Sequence, residues 1–306
     1  MKIAVLYGGV SAEREVSLSS GKGIIQALKN KGHEVIGIDF DPKKLEEIIS
    51  LQVDVVYIGL HGRFGEDGKV QALLDMLAIP YVGSGSQASG LAIDKAKSKR
   101  FFELMNTRVA KEQVLYKHQF SEQTFVCELA FPVVVKPNQE GSTIGLTIAE
   151  NHEELMNGIL QALQFDETIL LEEYIKGTEV TVAVLGNKGS EKSLPVVEIV
   201  PKNKHYDYES KYSQGMSEHI VPARLSTAQM DYVQEHAVYA HQVLGCEVYS
   251  RVDFIVPETG DPVILEVNTL PGMTPTSLYP DAAREVGLEY DEMIEELIQL
   301  SLNKGK

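Results

Sequence analysis

The chain has 306 residues, 43% hydrophobic and 24% charged, the composition of an ordinary soluble globular protein that is long for a single domain. A formal net charge of −16 excludes an extended nucleic-acid surface but still allows a nucleotide held by a local cluster of Lys, Arg and metal. No run approaches a membrane span, the MKIAVLYGG start is too short for a signal peptide, and Cys127 and Cys246 lack metal-ligand spacing, so a reduced, cytoplasmic chain is expected.

The first ~80 residues alternate strand and helix in the doubly wound manner, so the fold class is α/β with a Rossmann-like first domain. IAVLY (3–7), EVIGIDF (34–40) and VDVVYIGL (53–60) are the predicted strands. Residues 13–30, a short stretch from Asp41-Pro42 and residues 65–79 are the predicted helices. A Gly-x-Gly-x-x-Gly fingerprint is absent, which counts against a nicotinamide cofactor. Gly8-Gly9 instead forms a glycine turn entering a helix, a place that favours an anion, and Asp39 reads as a strand-end cap. In LHGRFGEDG (60–68), His61 lies beyond a strand C-terminus, where α/β sheets bind ligands. A lone histidine is as readily structural.

A second unit opens with the Lys-rich helix AIDKAKSKRFFELM at Asp94-Lys95. In FPVVVKPNQEGSTIGL (131–146), Lys136 ends a Val-rich strand and precedes a Gly/Ser/Thr loop, a combination suited to phosphate oxygens. A strand-end lysine before an ordinary hairpin explains the segment equally well. In ILLEEYI (169–175), alternation sets Glu172 and Tyr174 on one face, Glu173 and Ile175 on the other. Exposed edge groups there could read an adenine, although acids on an edge strand are commonplace.

The third unit starts at EVTVAVLG (179–186). The polar stretch KNKHYDYESKYSQGMSEH (202–219), with three tyrosines, reads as a lid that orders over ligand. VYSRVDFIV (248–256) and the strand ending in EVN (266–268) form a predicted hairpin through PETGDP. If Val256 opposes Val263, Asp253 opposes Glu266; Arg251 and Asp253 share one face, as do Glu266 and Asn268, with Leu265 and Val267 on the other. Opposed carboxylates require a cation between them, and an acid pair with an amide suits Mg²⁺, which wants oxygen ligands. The strand runs into Pro271-Gly272, a turn whose backbone can approach a ligand. The predicted C-terminal element is the amphipathic helix 291–300.

The segments GGVSAEREVSL, LHGRFGEDG, KPNQEGSTIGL, YDYESKY, SRVDF and EVNTLPGMTPTSL, in this order, resemble the ATP-grasp ligases, and within them the D-alanine–D-alanine ligase family. The resemblance covers almost the whole chain. It implies three domains, 1–93 (Rossmann-like), 94–178 (central) and 179–306 (C-terminal), with ATP between the last two. It also implies D-alanine as substrate, two Mg²⁺ or Mn²⁺ ions, a dipeptide destined for peptidoglycan, and a homodimer. By the same resemblance Lys95 and Lys136 contact the ATP phosphates, Glu172 and the backbone around Glu173 and Ile175 the adenine, and Glu179 the ribose. Asp253, Glu266 and Asn268 match the metal ligands. Glu13, assisted by His61, matches the acid for the first D-alanine's amine, in a hydrogen-bonded trio with Ser142 and Tyr212. Arg251 and the Gly272 backbone match the oxyanion site, and Ser277 and Leu278 the pocket for the second carboxylate. Lys211, on the lid, adds a cation. The loop reads Asn138-Gln139 where family members often carry Ser-Arg, which leaves those two contacts open.

Ligation of another acid–amine pair, including a D-hydroxy acid in second place, is the alternative within the superfamily. A two-lobed binding protein would need neither the Asp253, Glu266 and Asn268 set nor Lys136.

Overall fold

The computed structural model describes residues 1–201 and 217–304. Three sheets account for the architecture. The first is parallel, in the order β2-β1-β3, built from β1 (Lys2–Tyr7), β2 (Glu34–Asp39) and β3 (Val55–Ile58). β1 and β3 read as apolar runs because both their faces are covered, all four residues of β3 being buried, whereas the edge strand β2 is half exposed. Helix α1 (Arg14–Asn30) packs on it through Ile24, Ala27 and Leu28. The helix approaches β1 so closely at Gly21 that an added Cβ would lie 2.3 Å from the Tyr7 Cβ.

The second sheet is antiparallel, in the order β4-β7-β5-β6, from β4 (Glu112–Tyr116), β5 (Val133–Pro137), β6 (Thr147–Ala149) and β7 (Thr168–Glu173). Helix α6 (His152–Ala162) covers it with Leu155 and Ile159. Strand β7 is therefore interior, not the edge strand considered from its acids, and it stops at Glu173. The third sheet runs β11-β10-β8-β12-β13, with β9 (Lys192–Ser193) on β8 (Thr178–Gly186). Its other strands are β10 (Val197–Pro201), β11 (Ser217–Ile220), β12 (Val248–Val256) and β13 (Val263–Asn268), and α7 (Thr227–Val243) packs against it.

The predicted Lys-rich helix is two elements, α4 (Ser86–Ile93) and α5 (Lys95–Leu104), a break not anticipated. Asp94 is extended (ψ 91°), and its side chain accepts from the Lys97 N–H as an N-cap, so one helix ends where the next begins. The helix expected from Asp41-Pro42 forms later and shorter, as α2 (Glu46–Ile49), and the one expected over 65–79 narrows to α3 (Lys69–Met76). The C-terminal helices α8 (Leu278–Glu285) and α9 (Tyr290–Leu302) join the first sheet in one core, with Tyr279, Ile294, Leu297 and Ile298 beside Ile3, Leu6 and Tyr57. The chain's two ends are thus packed together. Among the described residues, no helix is long and apolar enough to cross a membrane.

Gly21→Ala should destabilise the protein by about 1–3 kcal/mol through overpacking, although alanine is the better helix former. The chemical-denaturation midpoint of the variant checks this.

Candidate active site

The hairpin that carries the acids departs from simple alternation. Val263 pairs with Ile255, not Val256, and a bulge between Asp253 and Phe254 takes up the extra residue, so Asp253 still opposes Glu266 and Arg251 opposes Asn268. The bulge turns Leu265 to the cleft with Glu266, while Ile264 and Val267 enter the core. The expectation that Leu265 shares the face of Val267 is corrected by that one extra residue. On the cleft face, Arg251 makes a two-pronged pair with Asp253 at 2.9 and 2.8 Å. The Asn268 amide donates to the same carboxylate at 3.0 Å, which leaves the amide oxygen as the atom for a cation. Thr181 on β8 donates to Asp253 at 2.6 Å. The other acid, Glu266, meets Lys95 at 3.1 Å. Two carboxylates and an amide oxygen suit a hard cation that completes its shell with water and phosphate. Among the described residues, no group of three or more His, Cys, Asp or Glu could hold a metal alone.

Two cavities meet here. One of about 430 Å³ lies between the second and third sheets. Lys95, Lys136, Glu172, Glu173, Ile175, Glu179, Asp253 and Glu266 all line it. Lys136 meets Glu172 at 2.6 Å, and the other oxygen of Glu172 meets Lys99 at 2.7 Å. Lys99 also lies 2.6 Å from Glu112 and donates to the Ala110 carbonyl at 2.9 Å. Burial opposes the charge on Glu172, but the two ammonium groups outweigh it and hold its carboxyl down to about 2. Beside Lys95 the balance is similar: burial lowers its pKa, Glu266 raises it, and the net direction is up.

The second cavity, of about 780 Å³, is lined by Glu13, His61, Ser142, Arg251, Gly272, Ser277 and Leu278. It shares Gly141, Ser142, Asp253 and Glu266 with the first, so the two are continuous at the acids. Ser142 donates to Glu13 through a short hydrogen bond, bringing together residues 129 apart in the chain. Ser142 and Thr143 both sit in the left-handed region (φ 53° and 59°), a conformation costly for side-chain-bearing residues and frequent at ligand loops. A Cβ on Gly272 would lie 3.2 Å from the Ser277 Oγ, so the turn and the start of α8 approach each other closely. Ser277 is the N-cap of α8 (φ −79°, ψ 159°), and its hydroxyl bonds Thr274, not its own helix.

His61 is buried between the Leu270 carbonyl at 3.0 Å, the Ser20 hydroxyl at 3.0 Å and Glu66 at 3.6 Å. Burial pulls its pKa down, Glu66 pulls it up, and the balance is upward; the Glu66 carboxyl is itself raised by burial. The anion expected at the Gly8-Gly9 turn is the chain's own Asp39, which accepts from the Gly9 N–H at 3.4 Å and binds Arg14 at 2.7 and 2.6 Å. Lys211 and Tyr212, with most of the 202–219 segment, lie outside the described residues. Reasoning from sequence overlooked Lys99, Glu112 and Glu66. Glu66 was findable, since it shares LHGRFGEDG with His61, whereas Lys99 gives no signal in a helix rich in lysines.

Two sheets closing on a cleft with paired acids and inward lysines define an ATP-grasp protein. The family profile "D-ala D-ala ligase C-terminus" matches residues 102–299, and "D-ala D-ala ligase N-terminus" matches 2–47 and 42–84. A D-alanine–D-alanine ligase of Halalkalibacterium halodurans is 70% identical over 305 residues, covering 99% of this chain and 100% of that relative. The crystal structure of the Bacillus anthracis D-alanine–D-alanine ligase complexed with ATP is similar at a TM-score of 0.86 and 32% identity, over 99% of this chain and 97% of that one. The VanG D-Ala:D-Ser ligase of Enterococcus faecalis is similar at 0.84 and 30%, over 98% and 99%. The chain belongs to the D-alanine–D-alanine ligase family.

Replacing Glu172 by Gln should leave two buried ammonium groups underpaired and cost about 3–5 kcal/mol at pH 7. Because the folded pKa is depressed, the stability that Glu172 contributes is complete above about 4.5 and is lost as pH falls towards about 2. Urea midpoints across that range should therefore fall less steeply in Glu172→Gln than in the parent.

Proposed function

We propose that this chain joins two D-alanines into D-alanyl-D-alanine at the expense of ATP, through a D-alanyl phosphate, to supply peptidoglycan. The observation that carries this reading is the continuity of the two cavities at Asp253 and Glu266. One side offers lysines for phosphate, and the other offers an acid, an arginine, a glycine turn and a helix start for amino acids.

A carboxylate is a poor electrophile, so it must first be phosphorylated; the second amine then displaces phosphate. Glu13, oriented by Ser142, receives the first D-alanine's ammonium. Lys95 and Lys136 offset charge on the transferring phosphoryl group, while Glu172, Glu179 and the backbone at Glu173 and Ile175 hold adenine and ribose. Asp253, Glu266 and Asn268 would hold two Mg²⁺ or Mn²⁺ ions, which neutralise phosphate charge as Lewis acids when bound. Arg251 and the Gly272 N–H then face the oxygen of the tetrahedral intermediate. The Ser277 hydroxyl and the Leu278 N–H, at the positive end of α8, hold the second carboxylate. Lys211 and Tyr212 belong to the lid that excludes water from the acyl phosphate.

We read residues 1–93, 94–178 and 179–306 as the three domains and take the chain to work as a homodimer in the cytoplasm. The two unpaired thiols suit that compartment. The likeness to a D-Ala:D-Ser ligase keeps a second reading open for the incoming amino acid.

Arg251→Ala should cut ligation at least ~10²-fold while ATP affinity, measured by calorimetry, stays nearly intact. Equal losses would refute that division of roles. With D-Ala, D-Ser and D-lactate in competition near neutral pH, D-Ala-D-Ala should dominate the products; a dominant mixed product would assign a different second substrate.

A further inference from the structure

The turn that presents Gly272 is held at both ends by one hydrogen-bonded circuit rooted in the first sheet's layer. On the far side of the turn, the Met273 N–H donates to the Ser20 hydroxyl at 3.2 Å. That hydroxyl lies 3.0 Å from His61 Nε2, and His61 Nδ1 lies 3.0 Å from the Leu270 carbonyl on the near side. From the opposite direction, the Tyr290 hydroxyl donates to the Met273 carbonyl at 2.6 Å.

Chemistry fixes the direction of the bonds that involve the backbone. A carbonyl only accepts, so His61 carries a proton on Nδ1 in either charge state. A peptide N–H only donates, so Ser20 accepts from Met273 whichever way it shares a proton with Nε2. Pro271 has no N–H, and that of Met273 is committed to Ser20. Gly272 therefore carries the turn's donor for a ligand. Ser20 is fully buried on α1 and lines neither cavity, so it touches no substrate.

We infer that Ser20, with Tyr290, is a positioning residue for the ligation step: it holds Met273 so that the Gly272 N–H stays aimed at the forming oxyanion. The inference rests on the ligase reading above. It separates the two half-reactions, because phosphoryl transfer to the first D-alanine creates no tetrahedral carbon, whereas attack by the second amine does. A donor displaced by a fraction of an ångström costs rate only where charge develops on that oxygen.

The test compares the full-length protein with Ser20→Ala and with Tyr290→Phe, each of which removes a hydroxyl and little volume. Two rates are measured: dipeptide formation, and scrambling of ¹⁸O from the β,γ-bridge of ATP in the presence of D-alanine, which reports reversible acyl-phosphate formation. Ser20→Ala should lower the dipeptide rate about 10–100-fold while label scrambling does not fall, since an acyl phosphate that ligates more slowly returns to ATP at least as often, and the KM for ATP stays within about 2-fold. Tyr290→Phe should shift the same rate in the same direction, and it carries the test if Ser20→Ala does not fold. Parallel loss of both rates, or an unchanged dipeptide rate, would overturn the inference and leave the ligase reading standing. Absence of dipeptide in the unaltered protein would instead overturn the ligase reading.

Discussion

Cations gathered in one cleft repel one another unless carboxylates stand between them, and that constraint organises this cleft. Lys95 is matched by Glu266, Arg251 by Asp253, and Lys136 and Lys99 share Glu172. Each pair is at least partly withdrawn from water, where an unmatched charge would cost several kcal/mol. The acids that neutralise these cations, Asp253 and Glu266, are also the ones that line both cavities.

The second consequence concerns how the site is divided. Lys136, Glu172 and Glu179 line the smaller cavity from the second and third sheets and Lys95 from the start of α5, while Glu13, Ser277 and Leu278 line the larger one from elements packed with the first sheet and Arg251 from the third. Glu13 begins α1, Ser142 reaches it from the second sheet's loop, and the turn at Gly272 is clamped by Ser20 and His61. Because α8 and α9 share a core with the first sheet, the Gly272 turn and the start of α8 at Ser277 are held by the same packing that stabilises the N-terminal layer.

Much of this was readable in the chain because it is local. Period-two alternation showed that Arg251 and Asp253 share a face, and Asn268 with Glu266; the acids face each other as expected, but through the bulge and not through the Val256–Val263 pairing that the spacing suggested. The bulge at Leu265 was not readable, since whether a strand accommodates an extra residue depends on what its neighbour across the ladder can accept. The break at Asp94 carried a signal, a capping residue before Lys95, but the helical pattern continued through it and concealed the boundary.

The sequence by itself determined the inventory: which strands would be buried, where glycine and proline turns fall, and which acids, lysines and amides are available for phosphate and metal. Tertiary structure alone decided the partners. Lys99 meets Glu172 across 73 residues, Ser142 meets Glu13 across 129, and Ser20 meets Met273 across 253. Hydrogen bonds and ion pairs act over about 3 Å, and the periodicity of a chain encodes only neighbours within a few residues. Contacts between distant segments arise only once the sheets have been packed against each other.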